Sequence, residues 1–222
     1  MRFVMLSLAL FVVFLSKGQD NKEFEGVIKY KHRFLFNSAD IDSLEIMNTL
    51  GTSSEFYYKE GNYKWIINSD SHTKVEYFDS KTQTVYSLYG QNDTLFMSRR
   101  NGYDDSLTVF KIVDTDDSVC GLKCKKAETF SFTKDDSDLQ TSRILYYSPA
   151  VSIGPDRFSF YRTYASNKVF QKIKCWPVKI ELRSKFMPFT YIIEAVQIIP
   201  RQLSDLEVFL PDNRPIKQLS LF

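Results

Sequence analysis

Cys120 and Cys124 stand four residues apart in the lysine-rich stretch CGLKCKKAETF, Cys120 to Phe130. Paired thiols can exchange electrons or bind a metal. A redox C-x-x-C needs two intervening residues and a helix N-terminus that lowers one thiol's pKa. Here three residues intervene, and the composition is that of a turn followed by a strand. A structural zinc site needs four ligands, and three cysteines with two distant histidines supply no evident set. In an extended chain Cys120 and Cys124 lie about 13 Å apart, beyond the reach of a disulfide. The stretch therefore predicts a turn at Cys120-Gly121 feeding a strand from Leu122, with no cofactor. A disulfide to Cys175 stays open, from Cys124 or from Cys120. Cys124 shares the inward parity of Leu122, Phe130 and Phe132. Cys175 is out of phase with Val178, Ile180 and Leu182 unless Pro177 introduces a bulge.

The remaining polar residues offer little catalysis. His32 continues the apolar face of a strand, where a locally bonded core or cavity-lining histidine is the commoner role. His72 sits in a polar turn. No nucleophile and base pair up, so no triad is expected. No G-x-S-x-G and no phosphate-cradling glycine loop occurs. The acidic runs Asp114 to Asp117 and Asp135 to Asp138 lack the glycine and closing glutamate of an EF-hand and fit solvated turns. The expectation is a protein that is not an enzyme and holds no metal.

The elements that would position any site begin after an export signal. Arg2 precedes an apolar run from Phe3 to Leu15, the length of a signal-peptide core. The run is shorter than the 20 or so residues a membrane span needs, so no permanent anchor is expected. Ser16 and Gly18 suit a cut before Gln19, giving a signal at 1–18 and one β-rich domain at 19–222. Cleavage removes Arg2 and Lys17 from 29 basic residues, leaving 27 against 27 acidic ones. A balanced charge gives no electrostatic footprint for nucleic acid.

Phe and Tyr dominate an aromatic content of 15%, which favours strands. In FEGVIKYKHRFLF, Phe24, Ile28, Tyr30, Phe34 and Phe36 share one face and Glu25, Lys29, Lys31 and Arg33 the other. Such alternation predicts an antiparallel strand with one wet face. In SADIDSLEIMNTLG, Ile41, Leu44, Met47 and Leu50 recur at helical spacing. Ser38 is a candidate N-cap and Gly51 a candidate C′ residue, so a helix is predicted over Ser38 to Gly51. Short alternating segments separated by turns follow, then a less regular excursion from Ser148 to Asn167. The tail, LEVFLPDNRPIKQLSLF, is expected to hold a short strand and then fray. The fold expected is mainly β, of α+β type: a strongly curved antiparallel sheet or open barrel with one covering helix.

A concave sheet lined with rings can bind an acyl chain or another apolar molecule. The candidate ligand-binding residues are Tyr30, His32, Phe34, Trp65, Tyr77, Tyr86 and Tyr147 on strands, with Leu44 and Met47 on the helix as a lid. For any one of them, core packing is the competing role.

The order of motifs resembles an exported Bacteroidota family of unknown function, GLPGLI-like. It opens with G-x-I-x-Y (Gly26 to Tyr30) and carries G-x-K-C-x-K (Gly121 to Lys126). Then come Tyr146-Tyr147-Ser148-Pro149, the proline-led strand Pro177 to Glu181, an A-x-x-I strand (Ala195 to Ile198) and F-x-P (Phe209 to Pro211). Cys175-Trp176 departs from the small or aliphatic pair usual there. The family is distantly similar to Lol-type periplasmic lipoprotein carriers, which implies an unclosed barrel around an apolar cavity. The protein is thus expected in the periplasm, the cell envelope or the secreted fraction. It would bind a lipid, lipoprotein acyl chains or another apolar small molecule; the alternative is an envelope scaffold whose partner is a protein. Such a source also implies O-glycosylation at Asp-Ser/Thr-apolar triplets, here Ser43, Thr94, Ser106 and Ser118.

Overall fold

The computed structural model describes residues 23–38, 40–99, 105–133, 136–159, 161–210 and 214–218. The expected signal at 1–18 lies outside the described residues. In chain order the elements are β1 (Gly26–Phe36), α1 (Ser43–Leu50), β2 (Ser53–Lys59), β3 (Asn62–Asn68), β4 (Thr73–Asp79), β5 (Thr84–Tyr89) and β6 (Leu95–Arg99). Then follow β7 (Asp105–Val113), β8 (Ser118–Val119), β9 (Leu122–Lys123), β10 (Lys125–Thr133) and β11 (Asp136–Ser152). After an irregular excursion come α2 (Ser166–Ile173), β12 (Cys175–Ser184), β13 (Phe189–Pro200), α3 (Asp205–Val208) and β14 (Ile216–Gln218).

Twelve strands form one sheet in the order β14-β6-β5-β4-β3-β2-β1-β13-β12-β11-β10-β7. Every pairing is antiparallel except β14 on β6. Chain continuity dictates the curvature. β6 stands second and β7 last in the row, although only five residues separate them in sequence. Laid flat, the ten inter-strand steps would part them by about 48 Å. Five linking residues reach at most about 22 Å. The sheet therefore curls until its ends approach, without closing into a barrel.

Local sequence explains the strands. In β1, Ile28, Tyr30 and His32 are buried, while Lys31 and Arg33 are exposed. Gly26 opens this strand at φ +154°, and a Cβ there would sit 2.2 Å from the Ile199 carbonyl oxygen, so only glycine lets β1 and β13 approach. Opposite β1, Val196 of β13 is left unpaired as a bulge between the Lys29–Gln197 and Tyr30–Ala195 pairs. The thiol-rich stretch is a two-residue hairpin. Cys120 (φ 50°) and Gly121 (φ 75°) both have positive φ between β8 and β9, as a type I′ turn requires.

The helices differ from expectation. α1 is two turns rather than three and starts later: the Asp42 carboxylate accepts the Glu45 N–H at 3.0 Å. Ser38 instead accepts the Asp40 N–H in a local turn. None of α1 is buried, so it is not the cover of the concave face. That role falls to the excursion between β11 and β12, which buries Ile153, Phe158, Ala165, Val169, Phe170 and Ile173. α2 presents Ser166, Val169, Phe170 and Ile173 at i, i+3, i+4 and i+7, one helical stripe against the sheet. The tail does hold a short strand, β14, but LEVF is not part of it. Ser204 and Glu207 form a capping box that starts α3.

Candidate functional site

The concave face is lined by alternate residues of every central strand. Phe56 on β2 pairs with Trp65 on β3, and Tyr63 with Phe78 on β4. Phe158 from the excursion stacks on Phe78 at 5.4 Å, and Trp176 from β12 stacks on Phe56 at 4.2 Å. These rings fill the β2–β4 side. Toward β11 and β12 the filling is incomplete. A cavity of about 220 Å³ remains there, lined by Trp65, Arg143, Leu145, Tyr161, Thr163, Tyr164, Ser166, Phe170, Trp176, Pro177, Ile180 and Leu182. Both tryptophans of the chain line it.

Arg143 is the one charged residue in that lining. It shares inward parity with Leu145 and Tyr147 on β11 and is 7% exposed. Its Nη1 donates to Ser166 Oγ at 3.0 Å and its Nη2 to the Tyr164 carbonyl at 2.5 Å. The guanidinium also lies 5.4 Å from the Tyr164 ring. Its Nε, and Nε1 of Trp65, find no hydrogen-bond partner. Among the described residues Arg143 forms no ion pair. Asp105 biases it electrostatically, but the Asp105 carboxylate accepts the Tyr164 N–H and the Thr133 hydroxyl. Burial pulls the Arg143 guanidinium down to about 10, so it stays charged at neutral pH.

Tyr164, which lines this cavity, and Ala165 next to it are in strained backbone, with φ 55° and 54°. Left-handed residues with a Cβ cost about 1–2 kcal/mol each. Arg143 on the Tyr164 carbonyl and Asp105 on its N–H hold that geometry from both sides.

The sequence candidates disperse. Only Trp65 lines the cavity. Tyr147 is core, and the Tyr30 hydroxyl donates to the Pro177 carbonyl at 2.9 Å. Phe34 belongs to an aromatic strip with Tyr191, at 4.9 Å, and Phe189. Tyr77 and Tyr86 face the other side of the sheet: they pair with each other across β4 and β5 and line a separate hollow with Val208, Phe209 and Leu210. Leu44 is 58% exposed on α1 and Met47 is half-buried, so neither covers the cavity.

His32 is a satisfied core histidine. Ser54 Oγ lies 2.8 Å from Nε2, while the Gly51 carbonyl and the Tyr191 hydroxyl face Nδ1 at 3.2 and 2.8 Å. A neutral ring protonated at Nδ1 meets every contact. Burial holds its pKa down at about 4.

The disulfide is corrected. Cys120, Cys124 and Cys175 are free thiols. Cys124 immediately precedes β10 and Cys175 opens β12, with β11 between. Strands on either side of a common neighbour lie about 10 Å apart, outside disulfide range. Cys120 instead donates its thiol to the Ala195 carbonyl at 3.1 Å. Burial raises the Cys175 thiol to about 11, which leaves it unreactive. Among the glycosylation triplets Ser118 is exposed, and Ser43, Thr94 and Ser106 are half-buried. Asp114 to Asp117 lie in a loop, whereas Asp136 and Asp138 belong to β11 rather than a turn, and Asp135 lies outside the described residues.

Two larger hollows carry less. One of about 530 Å³ is rimmed by Asp114, Asp116, Lys123 and Lys125 and suits water. The hollow beside Tyr77 and Tyr86, about 310 Å³, ends at Leu210, where the described residues break off. No helix among the described residues is long and apolar enough to cross a membrane. Arg143 was missed from the sequence although the pattern held a sign of it: a charge at an inward position in SRILYYS. No family model matches this chain, and no curated protein matches its sequence.

Proposed function

We propose that the protein is an exported carrier or sensor that binds a small apolar or amphipathic molecule on the concave face of its sheet. The observation that carries this is the cavity of about 220 Å³ whose walls are Trp65, Leu145, Phe170, Trp176, Ile180 and Leu182. Apolar cavities of about 150 Å³ take up benzene, so this one suits a ligand of about nine heavy atoms. That size narrows the expectation. A lipoprotein's full set of acyl chains does not fit; one short chain, or the end of a longer one, does. The resemblance to the exported family and to periplasmic carriers supports the same reading, with the periplasm or envelope as its place. Native mass spectrometry of protein taken from its own envelope fraction, before and after organic extraction, tests it. A stoichiometric mass lost on extraction is expected. A bare protein that gains no mass with medium-chain alcohols or fatty acids would sink the reading.

One observation favours a second reading, a protein-binding scaffold. β7 ends the sheet, nine residues long, with Val109 and Ile112 about half exposed. Among the described residues no strand pairs with its outer side, and an open edge is a template for an added strand. Introducing lysine at Val109 and Ile112 should then abolish capture of an envelope partner and leave small-ligand binding intact.

A further inference from the structure

Resting on the cavity reading above, we infer that the bound molecule ends in an oxyanion, of the carboxylate class, that docks on the guanidinium of Arg143. The unpartnered atoms decide the ligand's chemistry. Arg143 Nε and Trp65 Nε1 are both N–H donors without an acceptor, and both residues line the cavity. A buried donor left unmade costs about 1–3 kcal/mol. A ligand that relieves this must bring acceptors. The guanidinium adds a buried charge that no described carboxylate pairs, because Asp105 is engaged at Tyr164 and Thr133. An anion answers charge and donors together.

Arg143 presents its fork in a defined way. Nη1 and Nη2 are committed to Ser166 and Tyr164, and these bonds fix the guanidinium plane against the covering segment. Nε is enclosed in the structure, so a carboxylate engages the fork side-on, through Nε–H and a remaining Nη hydrogen, with a small shift of the covering segment. The tail then lies along the apolar wall of Leu145, Ile180 and Leu182. A purely structural arginine, present only to hold Tyr164, would show no preference among ligands that share a tail and differ in charge.

The test uses the unmodified full-length protein and its own fluorescence, since both tryptophans line the cavity. Octanoate, octyl phosphate, octanol and acetate are titrated in parallel. Octanoate should bind about ten- to hundredfold more tightly than octanol, the range expected for a hydrogen bond to a charged group. Octanol binding as tightly as octanoate would overturn the anion and leave the cavity reading standing. Neither of them binding would overturn the cavity reading itself. Acetate matching octanoate would overturn the amphipathic ligand. Octyl phosphate exceeding octanoate would overturn the carboxylate class in favour of a phosphorylated headgroup. In Arg143→Gln the preference for octanoate over octanol should fall below about threefold. Should that variant not fold, the unmodified protein's octanoate-to-octanol ratio decides alone, and Arg143→Lys, which keeps charge but loses the fork, should show an intermediate ratio.

Discussion

The two sides of the concave face treat their buried polar groups differently. Around β1 to β4 the rings of Phe56, Tyr63, Phe78 and Phe158 close ranks, and the buried base there, His32, has partners at both ring nitrogens. Across the sheet, by β11 and β12, packing stops short of a cavity, and the buried base there, Arg143, keeps an unpartnered nitrogen. A protein interior normally satisfies its polar groups and fills its space. Where both rules lapse at one place, and the backbone of Tyr164 and Ala165 is strained beside it, function is the economical reason. On the reading proposed above, the filled side is scaffold and the incomplete side is the site.

Four perturbations would break or sharpen that contrast. The largest effect belongs to the filled side. Phe158 is fully buried and stacks on Phe78, so Phe158→Ala should cost about 3–5 kcal/mol in denaturant unfolding. A loss under about 1 kcal/mol would mean that the excursion does not fill the sheet as described. Next comes pH. His32 titrates near about 4 when folded and near 6.5 when unfolded. Between those values the unfolded chain binds more protons. Stability should therefore hold above pH 6.5 and fall as pH drops toward 4, by up to about 3 kcal/mol. His32→Phe should flatten that slope; an unchanged pH profile in the variant would show that another group sets it.

Adding volume should separate the two sides directly. Val85 is fully buried against Phe78, and Val85→Phe should cost about 1–3 kcal/mol by overpacking. Ile180 borders the cavity, so Ile180→Phe should cost under about 1 kcal/mol while abolishing the octanoate fluorescence response. Equal costs at both positions would erase the distinction between filled and incomplete packing. The smallest effect is expected away from both sides. Lys29 and Glu55 form a partly exposed pair at 3.2 Å, and Lys29→Ala should change stability by under about 0.5 kcal/mol, read as an unmoved melting curve.

The strands were legible wherever one face met water. β1 alternates Ile28, Tyr30 and His32 with Lys29, Lys31 and Arg33, and parity alone assigns its inward side. It gives Tyr77 no face, because β4 buries both: Phe78 points into the concave core, and Tyr77 lies on the outer face, at the hollow with Val208. Alternation carries no sign of direction when neither side is wet. The lid was misplaced for a related reason. α1 has a regular apolar stripe, yet nothing in a local pattern says whether a stripe meets a sheet. α2, with Val169, Phe170 and Ile173 equally periodic, follows an irregular segment that carries no helical pattern of its own.

By itself the sequence determined the class of fold, the turn at Cys120-Gly121 and the absence of an evident catalytic motif, since these rest on spacings of a few residues. Only tertiary structure decided the cover, the free thiols and the cavity. Each depends on which strands become neighbours: β11 between β10 and β12 parts Cys124 from Cys175, and curling of the sheet brings Trp65 and Arg143, distant in the chain, to one hollow. Local propensity acts over a few residues, whereas sheet order and closure are set by the packing of the whole chain.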